Sequence, residues 1–214
     1  MDIVSYVSAA LAGYFLGSIP TGFLVAKAKG VDIRSVGSGN IGATNVFRFL
    51  GKPAGLFVLL IDALKGWVAV VLISKLILQI LHFPEESARR ESLEIIAGVC
   101  AILGHNYTCW LQFKGGKGIA TSAGVLTALV PWALLIILSL WIIFCALTRY
   151  VSVGSLVASF ALPFACWITG ESWTKVTVTA AMAAMAIYKH KGNIQRLLQG
   201  TESRIGAGTK KERT

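Results

Sequence analysis

Charge is scarce in this 214-residue chain. Asp, Glu, Lys and Arg make up 14% of it, against about 25% in a soluble domain. Hydrophobic residues make up 55%, and the mean hydropathy is +0.70. That shortage excludes an ordinary water-soluble domain, so most of the chain has to face lipid. Acid is scarcer still: ten acidic residues oppose twenty basic ones, a formal net charge of +10. In so apolar a chain this excess does not mark a nucleic-acid surface. Lys and Arg collect on the cytoplasmic side of membrane proteins and set their orientation. Cysteine is sparse and unpatterned. Cys100, Cys109, Cys145 and Cys166 show no CxxC pairing and no zinc spacing, which argues against a metal site and leaves packing thiols as their reading. No secretory leader is expected, because the chain starts Met1-Asp2 without a basic stretch and its first apolar run continues into GSIPTG.

What is present is a series of apolar runs near 3–25, 55–74, 92–108, 119–147, 151–169 and 176–188, with polar stretches between them. Runs of about 17–25 residues are candidate membrane spans. The fourth run is too long: as one helix it would measure about 44 Å, and Pro131 would break or kink it. Charge decides how to count it. The loop 26–54 carries Lys27, Lys29, Arg34, Arg48 and Lys52, and the tail from Lys189 carries seven basic residues. Both belong inside, which requires two crossings, or a bent pair of short helices, within 119–147. The expectation is an all-α polytopic membrane protein of seven transmembrane helices, some short or bent, with the N-terminus outside and the C-terminus cytoplasmic. Fifteen of the twenty basic residues then lie on the inner side. Residues 1–206 would form a single transmembrane helical domain, and 207–214 a basic, flexible tail.

That topology brings four unusual segments to the inner face: DIRSVGSGNIGATNVFR (32–48), GHNYTCWLQFKGGKGIATSAG (104–124), RYVSVGS (149–155) and YKHKGNIQRLLQGTESRIG (188–206). Their glycines admit close backbone approach and offer N–H groups to anions. Ser, Thr and Asn add neutral donors, and Arg and Lys add charge for phosphate. Asp32 and Glu202 are the only acidic residues within them. A donor-rich, carboxylate-poor site suits an anionic substrate and suits Mg²⁺ badly.

Four familiar motifs of phosphate binding and acyl transfer fail. Gly37, Gly39 and Gly42 fit G-x-G-x-x-G, with Asp62 twenty residues on. A dinucleotide fold, however, needs a strand before the first glycine, and the flanks here are membrane helices. GGKG is no Walker loop, because position 111 is Leu and Gly118 stands where Ser or Thr is required; by itself it also reads as a flexible basic turn at lipid headgroups. No G-x-S-x-G elbow occurs. The His-x4-Asp pair of the better-known lysophospholipid acyltransferases is absent as well, since Ser87, Trp110 and Gln195 follow the three histidines at that distance.

Asp62 and Lys65 can pair at i, i+3 within a span, with a structural brace preferred over a functional role. His105 and His190, lacking evident carboxylate partners, read as orienting loops in preference to acid–base work. Trp132, Trp141, Trp167 and Trp173 read as interfacial or lipid-facing.

GSIPTG (17–22) with GVDIRSVGSGNIGATNVFR, then GHNYTCWLQFKGGKGIAT, then HKGNIQRLLQGTE, together resemble the three ordered signatures of the bacterial acyl-phosphate:glycerol-3-phosphate acyltransferases, integral membrane enzymes of phospholipid synthesis. The resemblance implies seven membrane helices and transfer of a fatty acyl group from acyl phosphate to the 1-hydroxyl of glycerol 3-phosphate, giving lysophosphatidate and phosphate. With the charge and composition readings above, the expectation is no cofactor, no metal and no nucleic acid, only the two substrates and the lipid bilayer, with the protein a monomer in the bacterial inner membrane and its site facing the cytoplasm. Carried over by motif, Ser38, Arg48, Lys117, Ser155 and Asn193 form the catalytic set. Gly37, Gly39, Asn40, Thr44, Gly115, Gly116, His190 and Glu202 are implied to bind or support the phosphates. A membrane transporter of an organic phosphate is the rival class, but such carriers place their sites near the midplane, often between repeated halves, and no such repeat is evident.

Overall fold

The computed structural model describes residues 2–81 and 87–206. Among them every regular element is helical, and the expected tail 207–214 lies outside them. The chain divides into two compact units, Met1–Pro131 and Trp132–Thr214.

The first unit opens with α1 (Asp2–Ser18) and α2 (Thr21–Ala28). The apolar run 3–25 was expected to be continuous. It breaks at Ile19-Pro20 because proline has no N–H to donate and its ring disfavours helix in the residue before it. A short helix, α3 (Ala43–Leu50), leads through Gly51 into α4 (Lys52–Val68), which carries Pro53 in its first turn, where a missing N–H costs nothing. α4 runs through a π-helical stretch, Ala69–Ile73, into α5 (Ser74–Ile80). The stretch expected to turn polar after residue 74 is therefore helical for six residues more, and α6 (Ser87–Asn106) begins before the expected span at 92. A 3₁₀ turn (Cys109–Leu111) and the loop to Gly118 connect α6 to α7 (Ile119–Leu129).

Small residues set the packing. A Cβ at Gly13 or Gly17 of α1 would fall on the carbonyls of Ala97 or Ala101 of α6, and one at Gly124 of α7 on the Ala63 carbonyl of α4. Backbones this close are how helices gain contact in lipid, where no hydrophobic force drives them together. A buried cluster of Ala26, Ile33, Ile41, Val46, Ala54, Val58 and Leu111 roots the segment after α2 onto α3 and α4.

The expected awkward run 119–147 is broken at Val130, whose φ of −147° leaves the helix, and Pro131 opens α8 (Pro131–Thr148). In the second unit α8 turns through Arg149 and Tyr150 into α9 (Val151–Ile168), and the turn presses Gly154 against the Trp141 carbonyl. α10 (Trp173–Lys189), capped by the Ser172 hydroxyl, packs on α9, and α11 (Lys191–Leu198) follows at once.

Among the described residues four stretches are long and apolar enough to cross a membrane: Ile3–Ala28, Lys52–Ile80, Pro131–Thr148 and Val151–Ile168. Their outer surfaces are oily. Leu60 of α4, Trp132 and Leu147 of α8, and Phe160, Trp167 and Ile168 of α9 are all more than half exposed, a surface suited to lipid and not to water.

Candidate active site

In the first unit the segment 29–42 is built around one side chain. Asn45, buried on α3, points its amide nitrogen at the carbonyls of Ile33 (3.1 Å), Val36 (3.0 Å) and Asn40 (3.0 Å), and its amide oxygen accepts the Ser38 N–H at 3.2 Å. Ser38 is thereby held exposed between Gly37 and Gly39, whose φ values of 58° and 65° favour glycine. Asn40 bonds back through its side-chain oxygen to the Gly42 N–H, an Asx turn that starts α3. Thr44 and Arg48 lie four residues apart on α3 and share a face. Outside this knot Asp32 accepts three bonds from Arg34, and those bonds hold its carboxyl down to about 2. Of the expected residues, then, Ser38, Asn40, Thr44 and Arg48 all ride on one small platform. Asn45, which holds it together, was not among them.

The Lys117 loop is seated on the end of α6. The N–H groups of Gly115 and Gly116 donate to the carbonyls of Asn106 (3.2 Å) and His105 (3.0 Å). Gly115 and Gly116, implied by motif to bind or support the phosphates, use these N–H groups to anchor the loop. Gly118, at φ 79°, caps α7. Lys117 stands between anchor and cap and is half-buried, while Lys114 is exposed.

Beneath the loop lies a buried polar knot. Lys65 donates to Asp62 (2.7 Å), to the Ile19 carbonyl (2.9 Å) and to His105 Nδ1 (3.0 Å). Asp62 also accepts from the Thr21 hydroxyl at 3.0 Å and lies 3.6 Å from His105. The expectation that His105 lacks a carboxylate partner is corrected: from the last turn of α6 it lies 3.6 Å from Asp62. A Lys65 ammonium with three donors needs three acceptors, so Nδ1 accepts and Nε2 carries the imidazole proton. The Thr108 hydroxyl donates to the Ser18 carbonyl at 2.6 Å. The Ser18 and Ile19 carbonyls at the Pro20 break are thus both met by side chains.

In the second unit Glu202 is the hub. Its carboxylate accepts from the Ser152 hydroxyl (3.0 Å), the Asn193 amide (2.7 Å) and Arg196 Nε (2.7 Å). Burial alone would raise its pKa, but the bonds from Asn193, Arg196 and Ser152 outweigh burial and hold it below the usual glutamate value. Ser155 is buried, donates to the Val151 carbonyl (2.9 Å) and accepts from the Trp141 indole (3.2 Å). Trp141, read from the sequence as interfacial or lipid-facing, is also a polar partner. His190 is buried with Nδ1 2.7 Å from the Ala186 carbonyl, so Nδ1 carries the proton that it donates there. Residues 202–206 are latched back onto the α8–α9 turn by the Ile205 N–H to the Arg149 carbonyl (2.7 Å), Arg149 to the Ile205 carbonyl (3.0 Å) and Arg204 to the Tyr150 hydroxyl (2.9 Å). Ser152 and Arg196 escaped the sequence reading; Ser152 lies fifty residues from Glu202, and Arg196 is six residues from it across the turn that ends α11.

Among the described residues no group of three or more His, Cys, Asp or Glu side chains could hold a metal, and all four cysteines are free thiols.

Comparison with known proteins fits this inventory. The family model described as Glycerol-3-phosphate acyltransferase matches residues 7–200. A glycerol-3-phosphate acyltransferase of Desulforudis audaxviator is 46% identical over 193 residues, covering 90% of this chain and 91% of that one. One of Geobacter sulfurreducens is 45% identical over 194 residues, covering 91% and 94%. Among solved structures, the glycerol 3-phosphate form of PlsY, an integral membrane glycerol 3-phosphate acyltransferase, superposes with a TM-score of 0.83 at 38% identity, covering 94% of this chain and 96% of that one. The lysophosphatidic acid form superposes with a TM-score of 0.80 at 37% identity over the same shares. With a family model over most of its length and relatives well above 40% identity, the chain belongs to the glycerol-3-phosphate acyltransferase family, whose structural relative is an integral membrane enzyme.

Proposed function

We propose that the protein transfers a fatty acyl group from acyl phosphate to the 1-hydroxyl of glycerol 3-phosphate, releasing inorganic phosphate and lysophosphatidate. The observation that carries this is the joint likeness to structures holding the acceptor and the acylated product, on a chain whose signature segments are rich in phosphate donors and poor in acid. The donor assignment rests on chemistry. Acyl phosphate is a mixed anhydride and needs no enzyme nucleophile; the acceptor hydroxyl attacks the acyl carbon, the carbon–phosphate oxygen bond breaks, and phosphate leaves with the electron pair. A phosphate oxygen of a substrate takes the hydroxyl proton, so no covalent acyl-enzyme forms.

Arg48 and Lys117 neutralise the phosphates, which otherwise repel each other. Ser38 and Asn193 orient the hydroxyl or the carbonyl oxygen, and Ser155 completes the set. One lost donor to a developing oxyanion costs about 3–4 kcal/mol of barrier. Gly37 and Gly39 hold Ser38 out, Asn40 and Thr44 add neutral donors, and Gly115 and Gly116 seat the Lys117 loop. His190 and Glu202 hold the fourth segment. In the membrane the chain crosses seven times, N-terminus out and C-terminus in, as a monomer of the bacterial inner membrane with its polar segments toward the cytoplasm; the inside excess of Lys and Arg supports this.

Purified protein in detergent, given acyl phosphate and glycerol 3-phosphate, is expected to release phosphate only when both are present. A carrier would release none, and release without glycerol 3-phosphate would mean hydrolysis. Ser38→Ala, Lys117→Ala and Asn193→Ala should each lose most turnover while staying folded, and unchanged kinetics would remove that residue from the set.

A further inference from the structure

The buried Asp62–Lys65–His105 knot takes no part in the chemistry above, yet it touches the roots of two substrate-binding segments. At one end Asp62 holds the Thr21 hydroxyl, at the first residue of α2, which leads into the Ser38 platform, and Lys65 holds the Ile19 carbonyl two residues before it. At the other end Lys65 holds the His105 ring, the His105 carbonyl anchors the Gly116 N–H, and a Cβ at Gly116 would fall on His105 Nε2. Gly116 is buried directly on the imidazole. Lys117 is the next residue.

We infer that Asp62, Lys65 and His105 are positioning residues: they clamp the Pro20 break to the Gly115–Gly118 loop and so set where the Lys117 ammonium stands for a substrate phosphate. The inference rests on the proposed role of Lys117. A brace serving stability alone would need the ion pair and any acceptor for the third Lys65 donor, but not a ring on which the Gly116 backbone is packed. Here every donor of Lys65 is used, and the third one fixes the ring on which the loop lies. A buried pair retained for stability alone is weakly motivated, because apolar replacements of similar volume are often as stable. Contact with two binding segments supplies the missing reason.

The experiment is steady-state kinetics on the purified full chain, with each variant's melting temperature measured alongside. His105→Leu removes the acceptor for Lys65 and is expected to raise the KM of a phosphate-bearing substrate about tenfold, the loss of about 1.4 kcal/mol, with kcat changing less. His105→Gln can restore an acceptor at this position and should recover most of that loss. Gly116→Ala leaves the charged residues untouched but drives a methyl onto the ring, and should give the same KM signature. Adding His105→Ala to Gly116→Ala makes room for the methyl, so the double variant should be no worse than His105→Ala alone. If these variants melt lower but keep wild-type KM, or if the Gly116→Ala and His105→Ala effects simply add, the knot is a structural brace and the inference fails. A wild-type protein that releases no phosphate would instead overturn the proposed function.

Discussion

Asn45→Ala is the sharpest test of how the Ser38 platform is held. The wild-type amide faces three carbonyls at 3.0–3.1 Å with only two hydrogens, and accepts one N–H at 3.2 Å. That amounts to two full donated bonds shared over three carbonyls, and one accepted bond. At about 1 kcal/mol net for each, truncation removes on the order of 3 kcal/mol from the conformation that presents Ser38. An equilibrium shift of that size is about 150-fold. Binding and turnover scale with the competent fraction, so the loss of kcat/KM should fall between about tenfold and 150-fold, the upper figure applying if the segment holds no reserve stability. The helical scaffold should survive, since Val46, Ile33 and Ile41 still bury α3 and the segment in their own cluster. Phosphate release measures activity, and hydrogen exchange at the Ser38 amide measures whether the segment has opened. Asn45→Asp is the control: it keeps the acceptor for Ser38 but sets a carboxyl oxygen against three carbonyls, and should be at least as damaging. An Asn45→Ala protein within about threefold of wild-type kcat/KM, with Ser38 exchange unchanged, would refute the reasoning.

Further outcomes follow from other contacts. Because Glu202 titrates below its usual value of 4.5, its hydrogen bonds contribute stability that is fully present above that value and is lost as pH falls through the lower folded pKa; Glu202→Gln should flatten the acid limb of a melting-temperature profile, and an unchanged limb would remove Glu202 from its cause. Gly124→Ala would drive a methyl onto the Ala63 carbonyl and should destabilise the detergent-solubilised protein by about 1–3 kcal/mol. Gly170→Ala, at φ 75° with nothing within 4 Å, should cost only the backbone strain of about 1–2 kcal/mol, so equal melting shifts far above that range would contradict the close-packing account. Reporter fusions at residues 50, 87, 115, 149, 172 and 205 should place 50 and 205 on the same face, and opposite faces would break the seven-crossing topology.

How much of this was readable beforehand divides along a physical line. Apolar runs and proline are local signals, so the helices beginning near residues 119, 131, 151 and 173 were legible, and Pro131 marked its own break. Pro20 carried the same signal but sat in a run oily enough to hide it. Helix continuation past Ser74 was hidden for the opposite reason, since Lys75 looks like the end of a span although a helix can carry a cation out to the interface. Of the proposed site, Ser38, Arg48 and Lys117 were named by motif. Asn45 did not: in GSGNIGATNVFR it is one of two asparagines, and only burial shows which one knots the segment and which one turns it. Ser152 and the pairing of His105 with Asp62 were illegible because their partners lie more than forty residues away, and no spacing rule reaches that far; Arg196 lies only six residues before Glu202, a spacing that places two side chains together in no regular helix.

The charges inside the membrane helices are best understood from the break at Pro20. A proline in a lipid-embedded run leaves carbonyls that water cannot reach, and each unmet carbonyl there is costly. This chain meets the Ser18 carbonyl with the Thr108 hydroxyl, and the Ile19 carbonyl with the Lys65 ammonium in addition to the Thr21 N–H. A lysine brought in for that purpose must itself be neutralised, which accounts for Asp62 at i, i+3. Its third donor must find an acceptor, which accounts for His105. Asp62 in turn has room for the Thr21 hydroxyl at the restart of the helix. The polar residues of the knot therefore follow one from another once the break exists. The break in turn sends the chain out of the first long run and toward the segment that carries Ser38. On this argument Lys65→Met, which can neither meet Ile19 nor satisfy Asp62, should be more damaging than Lys65→Met combined with Asp62→Leu, where the uncompensated carboxylate is gone. If the single and double variants melt alike, the dependence of Asp62 on Lys65 is not what holds the pair in the membrane.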